Sequence, residues 1–314
     1  MKPKILISDT IHPVLEQKLI EAGFIVDTKV NISYNDLLKQ IINYDVLVVR
    51  SRFKVSSELI DAGSKLQIIA RLGSGLENID VDYAKSKNIE CLNSPEGNRD
   101  SLGEHAIGML LSLLNNISTA NNEIRKGIWN RKANWGVELK GKTIGILGYG
   151  NMGSAFAERL SGFGVNVIAY DKYKQNYSNS FVEESSMIDL FEKTDILSIH
   201  LPYNKETHYL VNNTFINNFK KNLYIVNTAR GKILNTEDLV SAMKEGKILG
   251  AALDVIEYED LTFEKFDSNS LPEPFQYLAK SNNVILTPHV AGWSSESNFK
   301  LADILASKII DKLK

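Results

Sequence analysis

Two doubly wound, parallel-sheet α/β domains are predicted for this 314-residue chain, and three observations carry the prediction. Short apolar segments alternate with helix-compatible ones along nearly the whole length, the pattern of parallel strands joined by crossover helices. A glycine-rich turn, Gly148-Tyr149-Gly150-Asn151-Met152-Gly153, sits between an apolar strand and a helical stretch. No comparable turn follows the first strand, so the chain holds two such units with different tasks. At this length each has room for a full core.

The first unit opens with KILIS (4–8), FIVDT (24–28), DVLVVR (45–50), LQIIAR (66–71) and IECLN (89–93), separated by stretches such as HPVLEQKLIEAG and SSELIDAG. One long helix is expected over Leu102 to Arg125, followed by a polar and aromatic crossover, WNRKANWGVELKGK. The second unit begins at KTIGIL and continues through Val165 to Tyr170, DILSIHLP, NLYIVNTARG, ILGAALDV and NVILTPH. The last helix, from Ser294, is too short for a domain and should pack back on the N-terminal unit. The expected boundaries are 1–95 with 292–314 for a substrate domain, of flavodoxin-like type, and 96–291 for a dinucleotide-binding Rossmann domain between them.

A hydrophobic content of 43% with 24% charged residues is ordinary for globular chains. A net charge of −2 and a pI near 6.3 offer no cationic field for nucleic acid. The single cysteine, Cys91, forms no intrachain disulfide, supports no cysteine metal cluster and is expected to be buried and inert; no metal site is expected. MKPKILISD runs straight into a strand pattern, and the longest apolar helix, near Ala106 to Leu114, is too short for a bilayer, so a cytoplasmic protein without membrane contact is expected.

Within the glycine turn each glycine has a distinct physical reason. Gly148 makes the tight turn, Gly150 lets a pyrophosphate approach the backbone, and Gly153 lets helix and strand pack closely, with the phosphates on the helix N-terminus. Asp171 ends the next strand eighteen residues beyond Gly153, where an acid accepts hydrogen bonds from a free ribose hydroxyl and repels a 2′-phosphate. NAD is therefore expected over NADP, with Lys172 beside the acid as the opposing feature.

Ligands of open parallel sheets bind beyond the carboxyl ends of the strands. Three residues stand there: Arg230 after LYIVNTA, Glu259 five residues after Asp254, and His289 after VILTP. A guanidinium pairs bidentately with a carboxylate, a histidine titrates near neutrality, and a neighbouring carboxylate stabilises its charged form. Together they match what hydride exchange with a 2-hydroxy acid requires: a cation for the carboxylate and an acid–base group with a tuner. His12 and His208 read as surface or capping residues, His105 as a helix residue, and His200 as a neighbour of the cofactor.

Seven segments, RLGSGLENID (71–80), NSPEGNRDSLGEHAIGMLL (93–111), GYGNMG, HLPYNKETHYLVN (200–212), NTARG (227–231), AALDVIEYE (251–259) and TPHVAG (287–292), resemble the D-isomer-specific 2-hydroxyacid dehydrogenase family. That resemblance covers nearly the whole chain and implies that Arg230 binds the substrate carboxylate, His289 exchanges the proton and Glu259 bonds its imidazole. It also implies cofactor contacts from Asn151, Met152, His200, Leu201, Pro202, Thr228, Ala229 and Gly292, with Asp254 on the nicotinamide carboxamide. Ser74 and Gly75 would meet the substrate carboxylate through the backbone, and the Ser74 side chain the cofactor edge. A homodimer with Leu102 to Arg125 as contact helix is implied as well.

Around its arginines the sequence resembles the 3-phosphoglycerate dehydrogenase branch in particular. Arg50, Arg71 and Arg131 would join Arg230 on a substrate bearing carboxylate and phosphate, Arg131 from the neighbouring subunit. Two departures stand against it: the thirty-residue interval from Glu259 to His289, a region where D-lactate dehydrogenases of the family also have a long segment, and Leu201 in place of a small polar residue. Glyoxylate or hydroxypyruvate reductase and D-lactate dehydrogenase are the alternatives, while Glu259 argues against the formate dehydrogenase branch. The chain ends at Lys314 without the amino-acid-sensing domain of some phosphoglycerate enzymes, so feedback by serine is not expected. An NADH-sensing protein similar to transcriptional corepressors is the alternative from another class.

Overall fold

In the computed structural model, which describes residues 2–259 and 271–314, every strand pairing between the named strands is parallel. The described residues divide into two compact units, one of residues 2–99 with Trp293–Lys314 and the other of residues 100–259 with 271–292. In the first, strands β1 (Lys4–Ile7), β2 (Ile25–Thr28), β3 (Val46–Val49), β4 (Ile68–Arg71) and β5 (Glu90–Asn93) lie in the order β2-β1-β3-β4-β5. That is the flavodoxin-like order.

Strands buried on both faces read as apolar runs, and Val46–Val49 shows why. Val46 and Val48 face a core with Ile5, Ile7, Ile68 and the terminal helix residues Leu301, Leu305 and Ile309. Leu47 and Val49 face the opposite core with Leu37, Leu59 and Ile69. The terminal helix, Ser295–Leu313, starts at Ser294, whose side chain caps Ser297, and packs on this sheet as its apolar stripe requires. Gly97 makes that packing possible, because a Cβ there would lie 2.6 Å from the Leu301 backbone nitrogen.

The second unit contains β6 (Thr143–Leu147), β7 (Asn166–Tyr170), β8 (Val182–Glu184), β9 (Ile196–Ile199), β10 (Leu223–Asn227), β11 (Ile248–Leu253) and β12 (Val284–Leu286), ordered β12-β11-β10-β9-β6-β7-β8. The order reverses between β6 and β9, so the crevice outside their carboxyl ends is the place where such sheets bind ligands. The edge strand β8 was not legible in the sequence, since its three residues bury only Val182 fully.

One expected element is corrected. Leu102 to Arg125 is not one helix but two, Arg99–Leu114 and Ile117–Arg125, because Asn116 between them takes a left-handed conformation at φ 53°. Asparagine tolerates that region better than most residues. The first helix buries Ala106, Met109, Leu110 and Leu113, whereas the second buries nothing. Of the acidic and aromatic stretch before His289, residues 260–270 lie outside the described residues, and Glu273–Lys280 forms a helix on Phe275 and Leu278.

Candidate active site

At the β6–β9 switch point the three glycines differ as the sequence predicts. Gly148 has φ 95°, and a Cβ there would come within 2.8 Å of the His200 carbonyl oxygen after β9. A Cβ on Gly153 would lie 2.1 Å from the Gly148 carbonyl oxygen, so only glycine lets the helix Asn151–Arg159 sit this close. Gly150, the cap residue of that helix, has no protein atom within 4 Å of an added Cβ and no side-chain capping bond. Open space over an uncapped helix N-terminus, with Asn151 and Met152 as its first residues, is a cradle for an anion.

Two buried polar atoms at the same edge have no protein partner: His200 Nδ1 and Thr228 Oγ1, the latter just after β10 and beside Ala229. Orphaned buried polar atoms beside an open cradle fit a bound dinucleotide. His200 bonds Ser198 Oγ through Nε2 at 2.8 Å and packs on Phe156, and burial pushes its imidazole down to about 3, so it stays neutral. Leu201 and Pro202 continue the chain from it.

Asp171 stands where the ribose-binding acid is expected, and the structure adds a second task. Its Oδ2 accepts the Tyr149 N–H at 2.8 Å, tying the glycine turn to the end of β7, while Oδ1 accepts the N–H groups of Tyr173 and Lys174. Burial raises its carboxyl, but these three hydrogen bonds and the Lys174 charge outweigh it and hold it below the usual carboxylate range. Lys172 is paired with Glu206 at 2.7 Å.

The glycines permit a contrast between folding and binding. Gly150→Ala should leave the melting temperature within about 2 °C, since its Cβ meets no protein atom, yet weaken NADH binding about tenfold by filling the cradle. Gly153→Ala should instead lower the melting temperature by several degrees through the clash with Gly148. Fluorescence titration with NADH beside a thermal melt separates the two; unchanged NADH affinity in Gly150→Ala would remove the cradle.

Further along the sheet, Arg230, Glu259 and His289 follow β10, β11 and β12 in turn. Asn227, almost fully buried, clamps the arginine turn: its Oδ1 accepts the Ala229 N–H at 3.0 Å and its Nδ2 donates to the Arg230 carbonyl at 3.2 Å. Arg230 Nη1 donates to the Ala229 carbonyl at 2.6 Å. Gly231 then presses against the loop after β11, where a Cβ would lie 2.0 Å from the Ile256 carbonyl carbon. That loop carries Glu259, whose Oε1 accepts the Ile256 N–H. Its Oε2 lies 2.7 Å from His289 Nδ1, with both side chains about one-quarter exposed. Asn227 and Gly231 were missed by sequence reasoning, although both lie inside the NTARG motif.

His289 itself has φ 55°, an uncommon conformation for a non-glycine residue. Its N–H donates to the Asp254 carbonyl at 2.8 Å. The Asp254 side chain, 1% exposed, accepts Thr287 Oγ1 at 2.6 Å and Val290 N at 2.9 Å on Oδ1, and Ala291 N at 2.9 Å on Oδ2. Both oxygens therefore hold the 287–291 turn, a task the resemblance did not assign; Gly292 ends that turn.

In the first unit, residues proposed for substrate stand at the carboxyl ends of β3 and β4. Asp9, buried after β1, accepts the Arg50 N–H at 2.6 Å. The Arg50 guanidinium lies 4.7 Å from the Trp293 ring centroid, and Arg71 Nε donates to the Arg50 carbonyl at 3.1 Å. Gly73, at φ 152°, leaves room for the Arg71 side chain. The Ser74 hydroxyl donates to Asn98 Oδ1 at 2.7 Å, which ties the 73–75 turn to the segment after β5; Gly75 follows it. Arg131 is exposed in the turn before β6. Cys91 is half-buried, and burial pushes its thiol up, away from the reactive thiolate. Among the described residues, no group of three potential ligands is arranged to hold a metal ion, and no helix is long and apolar enough to cross a membrane.

A dinucleotide cradle at the switch point of a doubly wound sheet, with a histidine–carboxylate pair after its last strands, defines a nicotinamide-dependent oxidoreductase. Residues 107–291, more than half of the chain, match the NAD binding domain of the D-isomer specific 2-hydroxyacid dehydrogenases, and the chain belongs to that family. It is similar to hydroxypyruvate reductase of Thermotoga maritima, at 36% identity over 310 residues that cover 99% of this chain and 98% of that one. It is similar also to D-3-phosphoglycerate dehydrogenase of Archaeoglobus fulgidus, at 34% identity over 313 residues; these cover 99% of this chain but 57% of that protein. Among solved structures, D-lactate dehydrogenase from Aquifex aeolicus complexed with NAD and lactic acid matches with a TM-score of 0.82 at 28% identity, over 98% of this chain and 94% of that one.

Proposed function

We propose that this chain uses NAD to interconvert a D-2-hydroxy acid and its 2-keto acid, and that its substrate is 3-phosphoglycerate and the matching phosphohydroxypyruvate. The observation that carries the reaction is the 2.7 Å pairing of His289 Nδ1 with Glu259. A carboxylate on Nδ1 fixes that nitrogen as the N–H donor, which leaves Nε2 to exchange a proton with the substrate oxygen. Glu259 anchors the imidazole and is not a nucleophile. Arg230 orients the substrate carboxylate through its planar fork. When bound, the nicotinamide would supply the hydride acceptor for oxidation of the hydroxy acid and, in its reduced form, the donor for reduction of the keto acid. Gly148, Gly150, Asn151, Met152, Gly153 and Asp171 hold the dinucleotide in this reading, with His200, Leu201, Pro202, Thr228, Ala229 and Gly292 beside it.

What supports a phosphate-bearing substrate is the arginine group of the first unit. The Arg50 guanidinium carbon lies over the Trp293 ring, and a guanidinium held on an aromatic ring can direct its N–H groups at an anion. Arg71, Ser74 and Gly75 complete the substrate group. A second reading, reduction of hydroxypyruvate, is favoured by the near full-length match to the Thermotoga maritima reductase, whereas the chain spans little more than half of the phosphoglycerate enzyme. Steady-state rates with NADH on phosphohydroxypyruvate, hydroxypyruvate, glyoxylate and pyruvate decide between them. At least tenfold higher kcat/KM on the phosphorylated acid is expected, about 1.4 kcal/mol of differential transition-state binding. A preference for hydroxypyruvate would overturn the phosphate assignment, and no turnover on any of the four would turn the reading to an NADH-binding module.

A homodimer is part of the same proposal. The helix Ile117–Arg125 buries no residue, and Ile117, Ile124, Ile128, Trp129 and Trp135 beside it are exposed, the signature of an interaction surface. Arg131, in the same stretch, would reach the partner's substrate. Sedimentation should give twice the 35.1 kDa chain mass, and a monomer at all concentrations would remove the role of Arg131.

A further inference from the structure

Three residues of the helix Arg99–Leu114 that the proposed chemistry does not use touch the segment bearing His289. Ser101 Oγ donates to the Ala291 carbonyl at 2.9 Å, His105 Nε2 lies 3.1 Å from Thr287 Oγ1, and Thr287 Oγ1 lies 3.5 Å from Met109 Sδ. Positions 101, 105 and 109 are four residues apart and so form one stripe along the helix. This stripe runs along residues 287–291, in whose centre His289 sits at φ 55°.

The hydrogen-bond inventory fixes the direction of the central contact. Thr287 has one hydroxyl proton, and at 2.6 Å it goes to Asp254 Oδ1. The contact with His105 therefore requires the imidazole to donate, so Nε2 carries hydrogen. A donor chain results: His105 Nε2–H to Thr287 Oγ1, and Thr287 O–H to Asp254, which also receives the N–H groups of Val290 and Ala291. His105 Nε2 is itself 3.6 Å from Asp254 Oδ1. A left-handed conformation is unfavourable for histidine, so the turn persists only if its surroundings impose it.

We propose that His105 is a positioning residue for His289, acting through Thr287 and Asp254, and that the helix stripe Ser101, His105, Met109 sets the orientation of the proton-exchanging imidazole. The inference rests on the reading that His289 exchanges the substrate proton. Loss of the His105 donor leaves the chain intact but lets the 287–291 turn relax, and the near-attack geometry suffers before cofactor binding does.

The test compares His105→Leu and His105→Gln, with Thr287→Val and Thr287→Ser, in the full-length protein. Leucine and valine remove the polar links, while glutamine keeps an N–H near Nε2 and serine keeps the hydroxyl. The expected result is a fall of about tenfold in kcat for His105→Leu and Thr287→Val, with the NADH dissociation constant within about threefold, and recovery of most activity in the Gln and Ser variants. A His105→Leu kcat within twofold of the parent would overturn the proposal. So would NADH affinity falling in step with kcat, or a Gln variant no better than Leu. His289→Ala measured in parallel separates the two levels: if it too keeps full turnover, the reading of His289 fails, whereas its loss beside normal His105 variants sinks only the positioning role.

Discussion

His289→Ala is expected to lower kcat for 2-keto acid reduction by at least about 10²-fold while NADH still binds. In the structure the imidazole is anchored on Glu259 at 2.7 Å, and no other histidine offers a substitute. His200 is buried and neutral, and His105 is engaged with Thr287. Alanine also removes a side chain from a residue at φ 55°, so part of any loss would come from the backbone. His289→Asn separates the effects, because asparagine accepts the left-handed region yet cannot transfer the proton at neutral pH. Both variants should fall together. Near-normal turnover in His289→Asn, measured by NADH oxidation, would take the residue out of the reaction.

Arg230→Lys should lower kcat/KM by about 10²-fold although the charge is retained. The clamp by Asn227 fixes the backbone of the arginine turn, and the Nη1 bond to the Ala229 carbonyl anchors the guanidinium to it. A bidentate pairing loses at least one charge-assisted hydrogen bond when lysine replaces it, worth about 1.5–3 kcal/mol, and lysine brings no fixed plane in exchange. The loss should appear in kcat as well as KM, because a carboxylate bound without orientation presents its carbonyl carbon poorly to the nicotinamide. If KM alone rose with kcat intact, Arg230 would be a binding residue without an orienting part.

Much of this site could be read before any coordinates. Gly148, Gly150 and Gly153 announced a dinucleotide turn because each glycine in it answers a different local demand, and local demands are written in adjacent residues. Arg230, Glu259 and His289 were found because strand ends are visible as the places where apolar runs stop. The helix break at Asn116 was not visible, since an apolar periodicity continues across it from Leu113 to Ile117 and only the backbone angle interrupts it. Asp254 was given a cofactor contact on resemblance, whereas its carboxyl oxygens hold the turn of Thr287, Val290 and Ala291, partners more than thirty residues away.

The division has a physical origin. Sequence by itself determined the two parallel α/β units and the cofactor class, and it singles out Arg230, Glu259 and His289 as candidates, because strand burial, glycine turns and residue chemistry depend on neighbours within a few positions. Tertiary structure alone decided which side chains hold those residues in place. Gly231 against Ile256 and the Ser101–His105–Met109 stripe along the His289 turn are contacts across crossover connections, and no spacing in the chain encodes the distance between two elements that meet only when the sheet is assembled.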